Sequence, residues 1–168
     1  MNNKYFSDRQ EKMIAEYLGW HQVIGSGARP FTPGDVGSYS WLGECKTHDT
    51  EKSNISFLKS HWVKICEEAY SKHRRPILFK DNGTQRAENT WVMVTLGTFM
   101  PTTVNAISGL KNTSRKGLSF TFDLADAKRL YQDSYIEGKF NVFKLVWNNQ
   151  ELAVMPLTVF KDFIDTEF

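Results

Sequence analysis

Cysteine is scarce in this 168-residue chain: only Cys45 and Cys66 occur. They form no CxxC, and no Cys/His spacing of the kind that builds a zinc centre accompanies them, so no structural zinc is expected. Long apolar runs are missing too. No stretch approaches the roughly 20 residues needed to cross a bilayer. The opening MNNKYFSDRQEKM is polar and charged where a secretory signal needs an apolar centre. These absences predict an intracellular, cytoplasmic protein with reduced thiols and no membrane association. There is no internal repeat and no low-complexity tract. Nor is there much net charge: +2 formally, with a pI near 8.5, which permits nucleic-acid binding without demanding it.

What is present is an ordinary globular composition, 40% hydrophobic and 24% charged, enough for a single core at this length. Ser7 as an N-cap, followed by Met13, Ile14, Tyr17 and Leu18 at helical spacing, predicts a first helix ending at Gly19. WHQVI reads as a short strand, GSGARPFTPGD as a turn-rich loop, and Tyr39 to Lys46 as an aromatic strand. SFLKSHWVKICEEAYSK places Phe57, Leu58, Trp62, Ile65, Cys66 and Ala69 on one helical face. PILFK and TWVMVTLGTF read as strands separated by the turn KDNGTQRAEN. From Pro101 to Gly117 the chain is polar and without core periodicity, which predicts a long loop or arm. FDLADAKRLYQDSY reads as a helix, FNVFKLVWNNQELAVMPL as a hairpin turning at Asn148 and Asn149, and VFKDFI as a short closing helix. This order predicts an α/β domain, a mixed sheet flanked by helices. Residues 1–100 form the expected core and residues 101–168 a C-terminal helix and β-hairpin extension packed on it, compact overall.

The chemistry-bearing pattern is Pro33-Gly34-Asp35, then Glu44-Cys45-Lys46 at the end of a strand. Cleaving a phosphodiester calls for a cation that polarises the phosphoryl group and lowers the pKa of an attacking water. Two carboxylates from neighbouring strands suit Mg²⁺, which takes oxygen ligands and keeps waters for the substrate. Residues two apart in a strand share a face, so Glu44 and Lys46 point to one site while Cys45 points away. An acidic residue followed by x-Lys is a weak signal by itself, and its bland reading is a solvated strand edge. Around it lies a basic stretch, Lys46, Lys52, Lys59, Lys64, Lys72, Arg74 and Arg75, with a second cluster at Lys111, Arg115 and Lys116. Lys52, Lys59, Arg74 and Arg75 are the candidate phosphate contacts beside the catalytic strand; Arg115 and Lys116 are candidates for a DNA-reaching arm.

GSGARPFTPGDV followed by WLGECKT resembles archaeal Holliday junction resolvases of the PD-(D/E)xK nuclease superfamily, and ECKTHDTEKSNISFLKSHW is similar to bacterial and phage resolvases of the same superfamily. The resemblance spans about residues 7–98. It implies a restriction-endonuclease-like fold and a Mg²⁺-dependent (Mn²⁺ as substitute) DNA endonuclease acting on branched DNA. It also implies Asp35 and Glu44 as metal ligands, Lys46 as the catalytic lysine, Glu11 as the helix glutamate completing the site, and Ser26 as a loop serine near the scissile phosphate. Gly34, between Pro33 and Asp35, departs from the pattern, and residues 111–168 have no counterpart in the shorter resolvases.

Alternatives stand beside these roles. Glu16 competes with Glu11 for the same cleft, and Ser26 reads equally as a small turn residue between Gly25 and Gly27, whose backbone suits close approach to a phosphate. His48, His61 and His73 lack metal spacing and fit surface or DNA-backbone contacts. The tryptophans fit core packing, and neither cysteine needs a chemical role. A restriction-type or repair nuclease on duplex DNA shares the same core, and a catalytically inactive DNA-binding protein is the alternative of another class. A junction-cutting enzyme is expected to be a homodimer, with Phe143, Leu145, Val146 and Trp147 or a sheet edge as candidate contacts and ordinary core as their other reading.

Overall fold

Alternation of apolar side chains builds the central sheet. In RPILFK, Ile77 and Phe79 enter one hydrophobic cluster while Leu78 enters another. WVMVT divides the same way, with Val92 and Val94 opposed to Trp91 and Met93, and so does ELAVMP, with Ala153 and Met155 opposed to Leu152 and Val154. Strands apolar on both faces must be covered on both faces, and they are. The computed structural model describes residues 3–23, 34–113 and 116–167.

In chain order the elements are α1 (Asn3–Leu18), β1 (His21–Gln22), β2 (Val36–Gly37), β3 (Trp41–Lys46), β4 (Asn54–Leu58), α2 (Lys59–Ser71), β5 (Arg75–Lys80) and β6 (Trp91–Thr95). Then follow β7 (Val104–Ile107), β8 (Ser119–Asp123), α3 (Leu124–Asp133), β9 (Phe140–Trp147), β10 (Gln150–Pro156) and α4 (Leu157–Thr166). Among the described residues, eight strands form one sheet in the order β1-β2-β3-β5-β6-β10-β9-β7, and β4 pairs with β8 in a separate two-stranded ribbon. The sheet is mixed: β3 runs parallel to β5 and β7 parallel to β9, while the other neighbours are antiparallel. The fold is thus α/β, a mixed sheet flanked by helices. Helices α1 and α4 cover one face through Ile14, Leu18, Phe160 and Phe163. Helix α2, the β4–β8 ribbon and α3 cover the other through Trp62, Ile65, Phe57, Phe122 and Ala127. Among the described residues no helix is long and apolar enough to cross a membrane.

Several expectations are met. Gly19 ends α1 at φ +69°, and the Trp20 amide reaches back to the Ala15 carbonyl at 2.8 Å, the wrap-around bond that a left-handed residue permits. Asn148 and Asn149 take φ of 50° and 61°, joining Trp147 and Gln150 by the two-residue turn that suits strand twist.

Other expectations are corrected. Ser7 does not cap α1, which begins at Asn3; its hydroxyl instead donates to the Asn3 carbonyl one turn back. Phe57 and Leu58 are not on α2 but end β4, where Ile55 and Phe57 point inward with the period of a strand. The polar segment after Pro101 contains β7, an edge strand of which only Ile107 is buried, too little apolar content to signal itself. Phe120 and Phe122 belong to β8, and α3 starts later, at Leu124, where Asp123 accepts from the Asp126 amide. Residues after 100 supply β7, β9 and β10 to the same sheet, and β10 pairs directly with β6, so they extend the sheet itself. Of the hairpin residues considered for a dimer contact, Phe143 and Trp147 lie in the core, whereas Val146 is 59% exposed.

Candidate active site

Strands β2 and β3 bring the acidic residues together. Asp35 precedes β2, its amide donates to the Gly43 carbonyl at 2.8 Å, and Val36 pairs with Gly43, which sets Asp35 across from Glu44. The Asp35 Oδ2 accepts from the Cys45 amide at 2.8 Å. Gly34 is built into this turn. Its φ is +70°, a Cβ there would come within 2.6 Å of Leu42 Cδ1, and its amide donates to Glu68 Oε2 at 2.9 Å. The residue that departs from the expected Pro-Asp pattern is therefore one that the local backbone requires.

Glu44 is 4% exposed. Its Oε1 lies 3.4 Å from Lys46 Nζ and its Oε2 accepts from Lys64 Nζ at 3.3 Å. Lys64 also lies 3.6 Å from Glu68, one turn further along α2. Burial raises the Glu44 pKa and the Asp35 charge adds to it, while Lys46 and Lys64 pull it back.

Helix α1 brings Glu11 to the same place. Burial, the Asp35 charge and a hydrogen bond with Asp35 push its pKa up to about 8, with smaller contributions from Asp8 and Glu44. A shift in this direction favours the protonated form of Glu11 beside the Asp35 carboxylate. Glu16 is exposed and pairs with Lys12 at 4.0 Å, so of the two helix glutamates it is Glu11 that joins Asp35. Cys45 faces the other side of β3, buried, and burial holds its thiol well above the usual range; Cys66 is pushed up to about 12 by burial. Neither is poised as a nucleophile.

The end of β3 is anchored from both sides. The Gln10 side-chain amide on α1 donates to the Lys46 carbonyl at 2.6 Å. Thr47 donates to the buried Asp81 Oδ1 at 2.6 Å, and Asp81 also accepts from the amides of Gly83 and Gln85. Beyond Lys46 the chain borders a cleft of about 480 Å³ lined by Phe6, Ser7, Thr47, His48 and Asp49 among others.

The basic candidates divide. Lys52 lies at the same end of the sheet, its backbone bonded to Asn82, and Lys59 opens α2 and donates to Asn148 Oδ1 at 2.8 Å. Arg74 and Arg75 do not flank Lys46. Arg75 pairs with Trp41 at the start of β3 whereas Lys46 pairs with Lys80 at its end, about 16 Å away at the usual rise per residue. Arg75 is also engaged: its guanidinium holds Glu167 through contacts of 3.1 Å and lies 4.1 Å from the Trp41 ring centroid. Lys116 is exposed in the turn before β8. Ser26, with Gly25 and Gly27, and Arg115 lie outside the described residues.

Lys64, Glu68 and Lys80 are not among the site residues read from sequence; the half-buried His61, read there as a surface or DNA-backbone contact, lies near Lys46, Lys80 and Lys64. Lys64 and Glu68 carried a readable signal, an opposite-charge pair four apart on a helix; Lys80 did not, because its place beside Lys46 depends on the parallel pairing of β3 with β5. Among the described residues no group of three His, Cys, Asp or Glu side chains stands assembled as a metal cage.

The comparisons find no match. Neither protein-family models, curated proteins nor solved structures resemble the chain at a significant level. The functional reading therefore rests on the geometry of the site together with the motif resemblance.

Proposed function

We propose that this protein is a metal-dependent DNA endonuclease of the PD-(D/E)xK type, restriction-endonuclease-like in fold, that hydrolyses phosphodiester bonds in branched DNA. The observation that carries the reading is the meeting of Asp35 and Glu44 across β2 and β3, with Lys46 Nζ 3.4 Å from Glu44 and Glu11 hydrogen-bonded to Asp35. An α/β arrangement in which α1 precedes the acidic strands and α2 links β3 to its parallel neighbour β5 supports the same assignment. The likeness of GSGARPFTPGDV and WLGECKT to junction resolvases supplies the substrate class.

The donor set suits Mg²⁺, or Mn²⁺ in its place. All three carboxylates offer hard oxygens, and the charge they crowd together is already relieved by a proton on Glu11. Mg²⁺ commonly uses one or two carboxylates and keeps waters, so a preassembled protein cage is not required. Asp35 and Glu44 would hold the ion with Glu11 beside them, and it would supply phosphoryl polarisation and a more acidic water. Lys46, on the same face as Glu44, stabilises the negative charge that grows on the phosphoryl oxygens in the transition state. Beside a bound cation Glu11 would release its proton to solvent and, as a carboxylate, would orient water. Lys64 and Glu68 hold Glu44 and the Gly34 turn in place. A junction needs two symmetric cuts, which a homodimer provides.

The test is a panel of labelled four-way junction, flap and linear duplexes with Mg²⁺. Paired symmetric nicks in the junction are expected. Equal cutting of linear duplex would leave a general nuclease, and no cutting of any substrate would remove the enzyme.

A further inference from the structure

Lys80 is 7% exposed, and among the described residues no carboxylate lies within salt-bridge distance of it. Burial disfavours the Lys80 ammonium, Asp81 favours it and Lys46 disfavours it, with a net lowering of its pKa; its surroundings show why no carboxylate contacts it. Both Glu44 oxygens are occupied, by Lys46 and Lys64. Asp81, next in sequence, spends its oxygens on Thr47 Oγ1 and the amides of Gly83 and Gln85. Lys80 is register-paired with Lys46 on parallel strands, so the two side chains leave the same face of the sheet side by side. Glu44 contacts Lys46 and Lys64, Glu68 contacts Lys64, and among the described residues no carboxylate contacts Lys80.

The geometry points to a phosphate-binding pocket formed by Lys80 and Lys46 on neighbouring strands, with His61 of α2 beside them, in which Lys80 binds a second non-bridging oxygen of the DNA backbone. This rests on the nuclease reading and deepens it: Lys46 serves the reacting phosphoryl group, and Lys80 is a separate substrate-binding residue. His61 fits such a pocket. Its ring is half-buried, and burial together with Lys46, Lys80 and Lys64 holds its pKa down to about 4, so at neutral pH it is an uncharged hydrogen-bonding group. The Asp81 charge favours the Lys80 ammonium, but among the described residues no carboxylate contacts it, so an anion entering among these groups would make the direct ion pair.

The test uses inorganic phosphate with the whole, metal-free protein, followed by titration of the His61 imidazole NMR signals, and compares Lys80→Met with the wild type. Saturable binding to wild type that weakens at least tenfold in Lys80→Met, but stays within twofold in a control at exposed Lys72, is expected. Lys80→Gln serves as a second variant of similar length should Lys80→Met misfold. Under Mg²⁺, loss of Lys80 should raise KM for junction DNA at least tenfold while kcat changes by less than threefold. Unchanged phosphate binding in both variants overturns the pocket even if the protein cuts DNA. Phosphate binding that depends on Lys80 in a protein that cuts no DNA keeps the pocket and removes the nuclease reading.

Discussion

Glu11→Gln should make the metal-free protein more stable, and only at neutral to alkaline pH. The carboxyl of Glu11 is held at about 8 against an ordinary 4.5 by burial and by Asp35. At about 1.4 kcal/mol for each pH unit between the two, the ceiling is near 5 kcal/mol. Solvent reaches part of the carboxyl and screens it, so we expect roughly 2 kcal/mol. The sign follows from proton binding. The folded protein holds this proton more tightly than the unfolded chain, so the group's stabilising contribution is complete below about pH 4.5 and is lost as pH rises through about 8. Gln keeps the shape and the hydrogen bond to Asp35 but has no proton to lose. Urea unfolding of wild type and variant from pH 4.5 to 9 should give coincident midpoints at the acid end and a gap that widens to its full value near pH 9. Mg²⁺ should narrow the gap by stabilising the wild type. A difference that is the same at every pH would refute the argument, because it would show that Glu11 acts through packing and not through its charge.

Other perturbations separate chemistry from binding and from architecture. Asp35→Ala should stop cleavage yet bind junction DNA at least as tightly as wild type in a gel-shift assay, since it removes negative charge near phosphates. Lys46→Ala should lower kcat by orders of magnitude in single-turnover assays, and Lys46→Arg should not restore it, because a planar guanidinium is not a compact ammonium. Arg75→Ala should cost about 1 kcal/mol in urea unfolding through loss of the Glu167 pair and the Trp41 contact, while junction affinity stays within twofold of wild type.

Period and punctuation made much of the fold legible. α1, the PILFK strand, the Asn148–Asn149 hairpin and α4 follow from apolar spacing and turn residues, all local properties. What escaped depended on distant partners. Phe57 extends a helical stripe on paper, yet β8 draws it into a strand some 60 residues away in sequence. β7 carries a single buried side chain and exists because β9 offers it an edge. The site divides in the same way. Glu44 and Lys46 share a face by strand geometry alone, and Asp35 follows from the turn before β2. Spacing already favoured Glu11 over Glu16, and the packing of α1 brings it to Asp35, whereas Lys80 required knowing that β5 runs parallel to β3. Arg75 lies opposite Trp41, at the other end of the strand pair from Lys46; closeness in sequence to a basic helix says nothing about which end of a strand a residue occupies.

The most direct test is cleavage of a labelled four-way junction by the purified protein with Mg²⁺, with excess EDTA, and with Glu44→Ala in place of the wild type. Paired cuts with Mg²⁺, none with EDTA and none from Glu44→Ala are predicted. Undiminished cutting in EDTA, or wild-type turnover by Glu44→Ala, would contradict a metal site built on Asp35 and Glu44.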